Sequence, residues 1–453
     1  MAQSRREFLK TVFGAPALLS LSGGAPALFS RAARAAGALA AEDRKDTVLV
    51  VVQLTGGNDG LNTVVPYADD AYGRNRSTLR LTGKEVHRID DYAGLHPRMS
   101  GFARLRKEGR LSVVQSVGYP NSHRGHEEAM RDWHTARPGE RQCPTGWIGR
   151  AVDSASRRDE AGVPGIFIGP IARPFALTAR KAAVPSIRSA RELTLRAGGD
   201  SSGEPRSGAD DNPLAEHVRR GLRGASATSR QVRAVLNGAP GTDRYPAHGL
   251  GGDLKTVAEL VRADVGIRMF FTELGGGGIG GFDNHANQRD NHAALLGQLS
   301  DAVAAFAEDL ARDKCLDRVL LMTFSEFGRT LGENGRRGTG HGAGQPVFLV
   351  GGRPRPGLIG KHPDLTDLDQ DAPRFQIDFR RLYATVLGPW LGLDTATILG
   401  PDFKPLNLGT DTNGTKISLF SLKGRQPTAH GNAPGYVLAA PPGGKREAVP
   451  AGA

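Results

Sequence analysis

The 453-residue chain is long enough for one large α/β domain with extensions at both ends, and its formal charge of +12 at first suggests a polyanion-binding protein. That charge is concentrated at the termini: residues 1–45 carry seven Lys/Arg against three Asp/Glu and residues 415–453 five against one, leaving +4 for the body. With no basic stripe interleaved with aromatics there, nucleic-acid binding is set aside, and two cysteines, Cys143 and Cys315, exclude thiol-rich zinc sites and allow at most one disulfide.

Ser4-Arg5-Arg6-Glu7-Phe8-Leu9-Lys10 has the form of a twin-arginine export signal, and the apolar run Thr11 to Phe29 that follows is too interrupted by Gly and Pro for a spanning helix. Small residues at Ala33-Arg34-Ala35 and Ala38-Leu39-Ala40 offer cleavage points. The expectation is a removable segment over residues 1–40 and a mature protein in the periplasm or outside the cell, with no transmembrane segment.

Asp46 to Leu54 is a continuous β-branched run of the kind buried on both faces of a parallel sheet, and it breaks into Thr55-Gly56-Gly57-Asn58-Asp59-Gly60. A helix is predicted around Pro97 to Lys107, then a second buried strand over Leu111 to Val117. That strand ends in Gly118-Tyr119-Pro120-Asn121-Ser122-His123-Arg124-Gly125-His126, which could supply a nucleophile in Ser122, an anion clamp in Arg124 and a ligand or proton shuttle in His126. The bland alternative is a helix start capped by Asn121 or Ser122.

Residues 162–170 read as a short strand, 196–211 as a Gly/Ser/charge-rich surface loop, and 213–236 and 253–263 as helices. Asp264 to Thr272 reads as a buried strand that leads to Gly281-Phe282-Asp283-Asn284-His285, followed by a long helix carrying Leu295, Leu296, Leu299, Val303, Phe306 and Leu310 at helical spacing. Asp283 and His285 suit a hard or zinc-like cation, unless Asp283 merely caps the helix. Asp317 to Phe324 is a further strand, with Glu326 and Arg329 directly after it; the glycine-set His341 precedes a strand over Pro346 to Val350. Asp378 to Leu391 reads as a closing helix, and residues 415–453 as a Gly/Pro/Ala-rich tail.

Asp59, the Ser122 to His126 cluster, Asp283 with His285, and Glu326 thus all follow strand ends. If the strands are parallel neighbours, these turns converge on one edge into a site of N and O ligands for one or two of Zn, Mn, Mg or Ca.

The segments SRREFLK, VVVQLTGGNDGLNTVVPY, VGYPNSHRGHEEAMRDWHTA, GWIGR, GFDNHANQ, SEFGRT and ENGRRGTGHG, in this order, resemble the exported domain-of-unknown-function 1501 family, which is similar to the alkaline phosphatase and sulfatase superfamily. The resemblance implies a three-layer α/β sandwich over residues 46–405, with a mostly parallel central sheet flanked by helices. It implies metal ligation by Asp59, Asp283, His285, Glu326 and His341, and hydrolysis of a phosphate, sulfate or related ester. The partner would be an anionic ester or a surface polymer, with Arg124 or Arg329 holding the anion. Two departures stand out: Gly340 replaces an acidic residue, and Arg124-Gly125-His126 lacks a hydroxyl, so Ser122 is the nearest nucleophile. Those gaps leave open a second reading, a non-catalytic exported binding protein on the same scaffold.

Overall fold

A computed structural model describes residues 46–156, 163–188, 213–238, 244–276, 281–351, 354–407 and 419–420. The expected export segment, the loop at 196–211 and almost all of the expected tail lie outside these residues.

The centre is a nine-stranded sheet. In chain order its strands are β1 (Val48–Leu54), β2 (Leu111–Gly118), β3 (Gly165–Ile168), β4 (Ser186–Ile187), β5 (Met269–Leu274) and β6 (Val319–Phe324). Beyond a short antiparallel ribbon of β7 (Arg329–Glu333) and β8 (Thr339–His341), the sheet resumes with β9 (Gln345–Gly351), β10 (Gly357–Ile359) and β11 (Ile377–Asp378). The order across the sheet is β10-β2-β9-β6-β1-β5-β3-β4, with β11 also on β2. Every pairing is parallel except those of β9, which runs against both β2 and β6.

Helices cover both faces, as the unbroken apolar character of β1 requires. Val48, Val50, Val52 and Leu54 enter one core with α1 (Ser100–Lys107), α4 (Pro213–Gly238), α5 (Gly249–Ala263) and α6 (Gln288–Arg312). Leu49 and Val51 enter the other, with α2 (His126–Thr135), α3 (Trp147–Ala155) and α7 (Phe379–Thr385). The period-two alternation of one strand therefore feeds two cores, giving a helix–sheet–helix sandwich.

Three local expectations change. The strand expected from Asp264 begins only at Met269, because Asp264 ends α5 in a left-handed conformation (φ 50°). The closing helix is α over Phe379–Thr385 and continues as a wider π-type turn over Val386–Trp390, where Pro389 has no N–H to give. Cys143 and Cys315 are both free: Cys143 sits beside Arg150 of α3, whereas Cys315 packs against the core on the opposite face.

Candidate metal centre

The carboxyl ends of β1, β5 and β6 point to one edge because these strands are parallel. Antiparallel β9 brings its own beginning to that edge, so the β7–β8 ribbon just before it arrives there as well. Backbone bonds then fix the turns to one another: the Phe282 amide donates to the Thr55 carbonyl at 2.9 Å, and those of Asn287 and Gln288 donate to Arg336 and Arg337 at 2.9 Å. Two glycines permit this closeness. A Cβ on Gly56, already at φ 115°, would lie 2.5 Å from the Asp283 nitrogen, and one on Gly338 would lie 2.2 Å from the His285 carbonyl carbon.

Three histidines and one aspartate converge there. Asp283 Oδ1 lies 3.0 Å from His285 Nε2 and 3.3 Å from His341 Nε2, the two ring nitrogens are 2.8 Å apart, and His126 Nε2 is 3.4 Å from Asp283 Oδ2. His126, Asp283 and His341 form the group whose donor atoms could share one cation, with His285 against it. The far sides of two rings are anchored. His126 Nδ1 donates to Glu326 Oε1 at 3.0 Å, and His341 Nδ1 donates to the Arg124 carbonyl at 2.5 Å. Because a carboxylate and a carbonyl can only accept, each neutral ring is left with its lone pair on Nε2, facing the Asp283 carboxylate. Lone pairs and a carboxylate aimed at one point repel unless a proton or cation lies among them. The donor set therefore fits a divalent ion, and the anchoring partners are of the kind that orient metal-binding imidazoles.

The electrostatics agree with this. The hydrogen bond to Glu326 raises the His126 pKa against the effect of burial, whereas burial lowers that of His341 despite its bond to the Arg124 carbonyl. Burial disfavours the Asp283 anion, but Arg329 and the histidines outweigh it and hold the carboxyl below its usual range.

Several expected roles do not fit the geometry. Asp59 is 2% exposed, capping Leu61 and Asn62 and taking bonds from Arg76 at 2.6 Å and Gln288 at 2.5 Å; its oxygens are already used by the protein. Burial opposes its ionisation, yet the Arg76 guanidinium keeps it charged. Glu326 is likewise buried, accepting from the Gly56 amide and Ser325 hydroxyl as well as His126, so it orients His126 rather than forming part of the converging set. Arg124 spends its guanidinium on the carbonyls of His341, Asp369 and Gln370, and Arg329 on those of Gly56, Gly57, Phe282 and Thr339 and on Asp283. Neither has the free guanidinium face that an anion clamp needs. Ser122 lies in the loop before α2 and does not line the cleft, and the helix is capped by Gly125 rather than by Asn121 or Ser122.

A cleft of about 740 Å³ opens beside the centre, lined by His126, Asp283 and Glu326 and, one turn further along α2, by Met130 and Arg131 with Phe175. Gln53, Thr55 and His134 also border it, in a chain in which His134 Nε2 donates to Gln53 at 2.6 Å, Gln53 to Thr55 at 2.8 Å, and Thr55 to Glu273 at 3.0 Å. Burial drives the His134 pKa down to about 3, so this ring is neutral. The sequence reading missed this wall, although the spacing of His126, Met130, Arg131 and His134 already places them along one side of a helix.

The chain belongs to the family described as "Protein of unknown function (DUF1501)", whose model matches residues 46–407. No curated protein matches the sequence. Among solved structures it is similar to the zinc complex of the C-terminal periplasmic domain of EcEptC from Escherichia coli, at 11% identity over 67% of this chain and 72% of that one, with a TM-score of 0.33. It is also similar to the lipoteichoic acid synthase LtaP from Listeria monocytogenes, at 10% identity over 79% and 76% with a TM-score of 0.37. A protein in the alkaline phosphatase superfamily from Vibrio parahaemolyticus is similar at 10% identity over 79% and 69%, with a TM-score of 0.35. Likenesses at this level assign no activity.

Proposed function

We propose that this is an exported metal-dependent hydrolase of phosphate, sulfate or related esters, acting in the periplasm or outside the cell. One observation carries the reading: two imidazoles with tautomers fixed from behind, a third imidazole and a carboxylate converge beside an open cleft. His126, Asp283, His285 and His341 would hold one divalent ion, Zn, Mn, Mg or Ca, and the N-rich set favours zinc. When bound, such an ion supplies Lewis-acid polarisation of an ester oxygen and of an attacking water. Glu326 keeps His126 oriented, Arg329 keeps Asp283 anionic, and Gly56, bridging both turns, holds the cleft floor in register. Because Ser122 does not line the cleft, the nucleophile in this reading is a water. The export reading rests on the twin-arginine pattern, and no helix among the described residues is long and apolar enough to cross a membrane.

The test is metal content of the purified protein together with turnover of 4-nitrophenyl phosphate and sulfate. Stoichiometric metal and turnover that is lost with chelator and in a folded His341→Ala variant are the expected results. A specific feature favours the competing reading of a binding protein: the guanidinium groups of Arg124 and Arg329 are both consumed by the protein. Metal that raises the melting temperature without turnover of any ester in a broad panel would select that reading.

A further inference from the structure

We infer that Arg131 is a second anion-binding group in the cleft, so that the ligand class is an ester with a further negative charge beyond the group held at the metal centre. This rests on the hydrolase reading for its first anion and adds the second. Arg131 follows His126 by five residues on α2, which sets the two positions about 7–8 Å apart along the helix axis.

The guanidinium is built in place. Nη2 donates to the carbonyl of Arg141 at 2.7 Å and to that of Cys143 at 3.0 Å, and the group lies 5.0 Å from the Phe175 ring centre. These contacts fix its plane, so binding an anion would freeze little additional side-chain freedom. The remaining donors are unused. Among the described residues no carboxylate pairs with Arg131, Nε is buried without an acceptor, and Nη1 has none either. Nε is enclosed by the protein and out of a ligand's reach, so Nη1 is the donor left for a charge-assisted bond to an oxyanion in the cleft. Glu127, the other charged side chain of α2 on the cleft, is solvent-exposed and makes no ion pair with Arg131. Met130 and Phe175 add apolar surface to the same cleft for an uncharged part of the ligand. A ligand carrying two anionic groups fits the arrangement better than a small ester with a neutral leaving group.

The probes are phenylphosphonate and 4-phosphonobenzoate, two non-hydrolysable compounds that differ by a carboxylate across the ring, titrated calorimetrically into the zinc-supplemented full chain. Wild type should bind 4-phosphonobenzoate about tenfold more tightly than phenylphosphonate, with the advantage shrinking as salt is raised. Arg131→Met and Arg131→Lys separate the charge from the fold: the methionine variant should bind both compounds alike, its phenylphosphonate affinity within about twofold of wild type, and the lysine variant should recover part of the difference. Equal binding of the two probes by wild type, or a difference that persists in Arg131→Met, would overturn the second site and leave the hydrolase reading standing. Failure of wild type to bind either phosphonate would remove both.

Discussion

Glu326 illustrates how one largely buried side chain at the edge of the cleft governs its neighbours. Its carboxylate holds the Gly56 amide at 2.9 Å and His126 Nδ1 at 3.0 Å, and so fixes both the first turn and the tautomer of that ring. Changing such a partner typically weakens metal binding by about 10–100-fold. Glu326→Gln should therefore lower zinc affinity by that factor in a competition titration, with the circular-dichroism spectrum unchanged; wild-type affinity would show that the bond does not orient His126. Asp253 acts on stability instead. It is buried on α5 with only the Thr272 hydroxyl as a partner, at 3.1 Å, and burial, reinforced by Glu273, raises its pKa to about 7. A carboxyl whose pKa is higher folded than unfolded contributes stability that is complete below the unfolded value of 3.8 and is lost as pH rises through about 7. Asp253→Asn should therefore gain on the order of 3 kcal/mol over wild type between pH 4 and pH 7, measured by denaturant unfolding. A constant difference across that range would contradict the assignment.

Among the elements, α3 shows packing overriding helix propensity. Gly149 lies inside it, where alanine would ordinarily add about 1 kcal/mol. Here a Cβ would meet the Thr178 carbonyl oxygen at 2.1 Å and its carbon at 2.3 Å, backbone atoms that cannot swing aside. Overpacking of this kind costs about 1–3 kcal/mol, so Gly149→Ala should lower the melting temperature despite the better propensity, and a rise would mean that the Phe175–Thr178 segment yields readily. The sheet elements were the most legible in sequence: β1 and β6 are mostly apolar runs because both faces are covered, and β2, although it carries Ser112, Gln115 and Ser116, is as fully buried. The reversal of β9 was not legible. A strand buried on both faces carries no alternation that reveals its direction, yet that reversal brings His341 to the site.

For the molecule as a whole, the sandwich could be read from the pattern of strands, and Asp283, His285, Glu326 and His341 do gather at one edge of it, whereas the partners of each side chain could not be read. Asp59 and Asp283 look equivalent in sequence, each in a Gly-rich turn after a strand, and each meets a buried arginine, but Arg76 and Gln288 enclose the first whereas three imidazoles face the second beside Arg329. Arg124 and Arg329 looked like anion clamps because their hydrogen-bond partners are carbonyls contributed by segments remote in the chain. Composition does not predict such partners; only the folded arrangement of turns does.

The docking of the β7–β8 ribbon onto the Asp283 turn also has a temporal side. A growing nascent chain exposes His126 early, but it cannot present the complete donor set until β8 has been synthesised and the Asn287 and Gln288 amides have found Arg336 and Arg337. Capture of an ion by all four groups would then report that the last of the converging turns has docked.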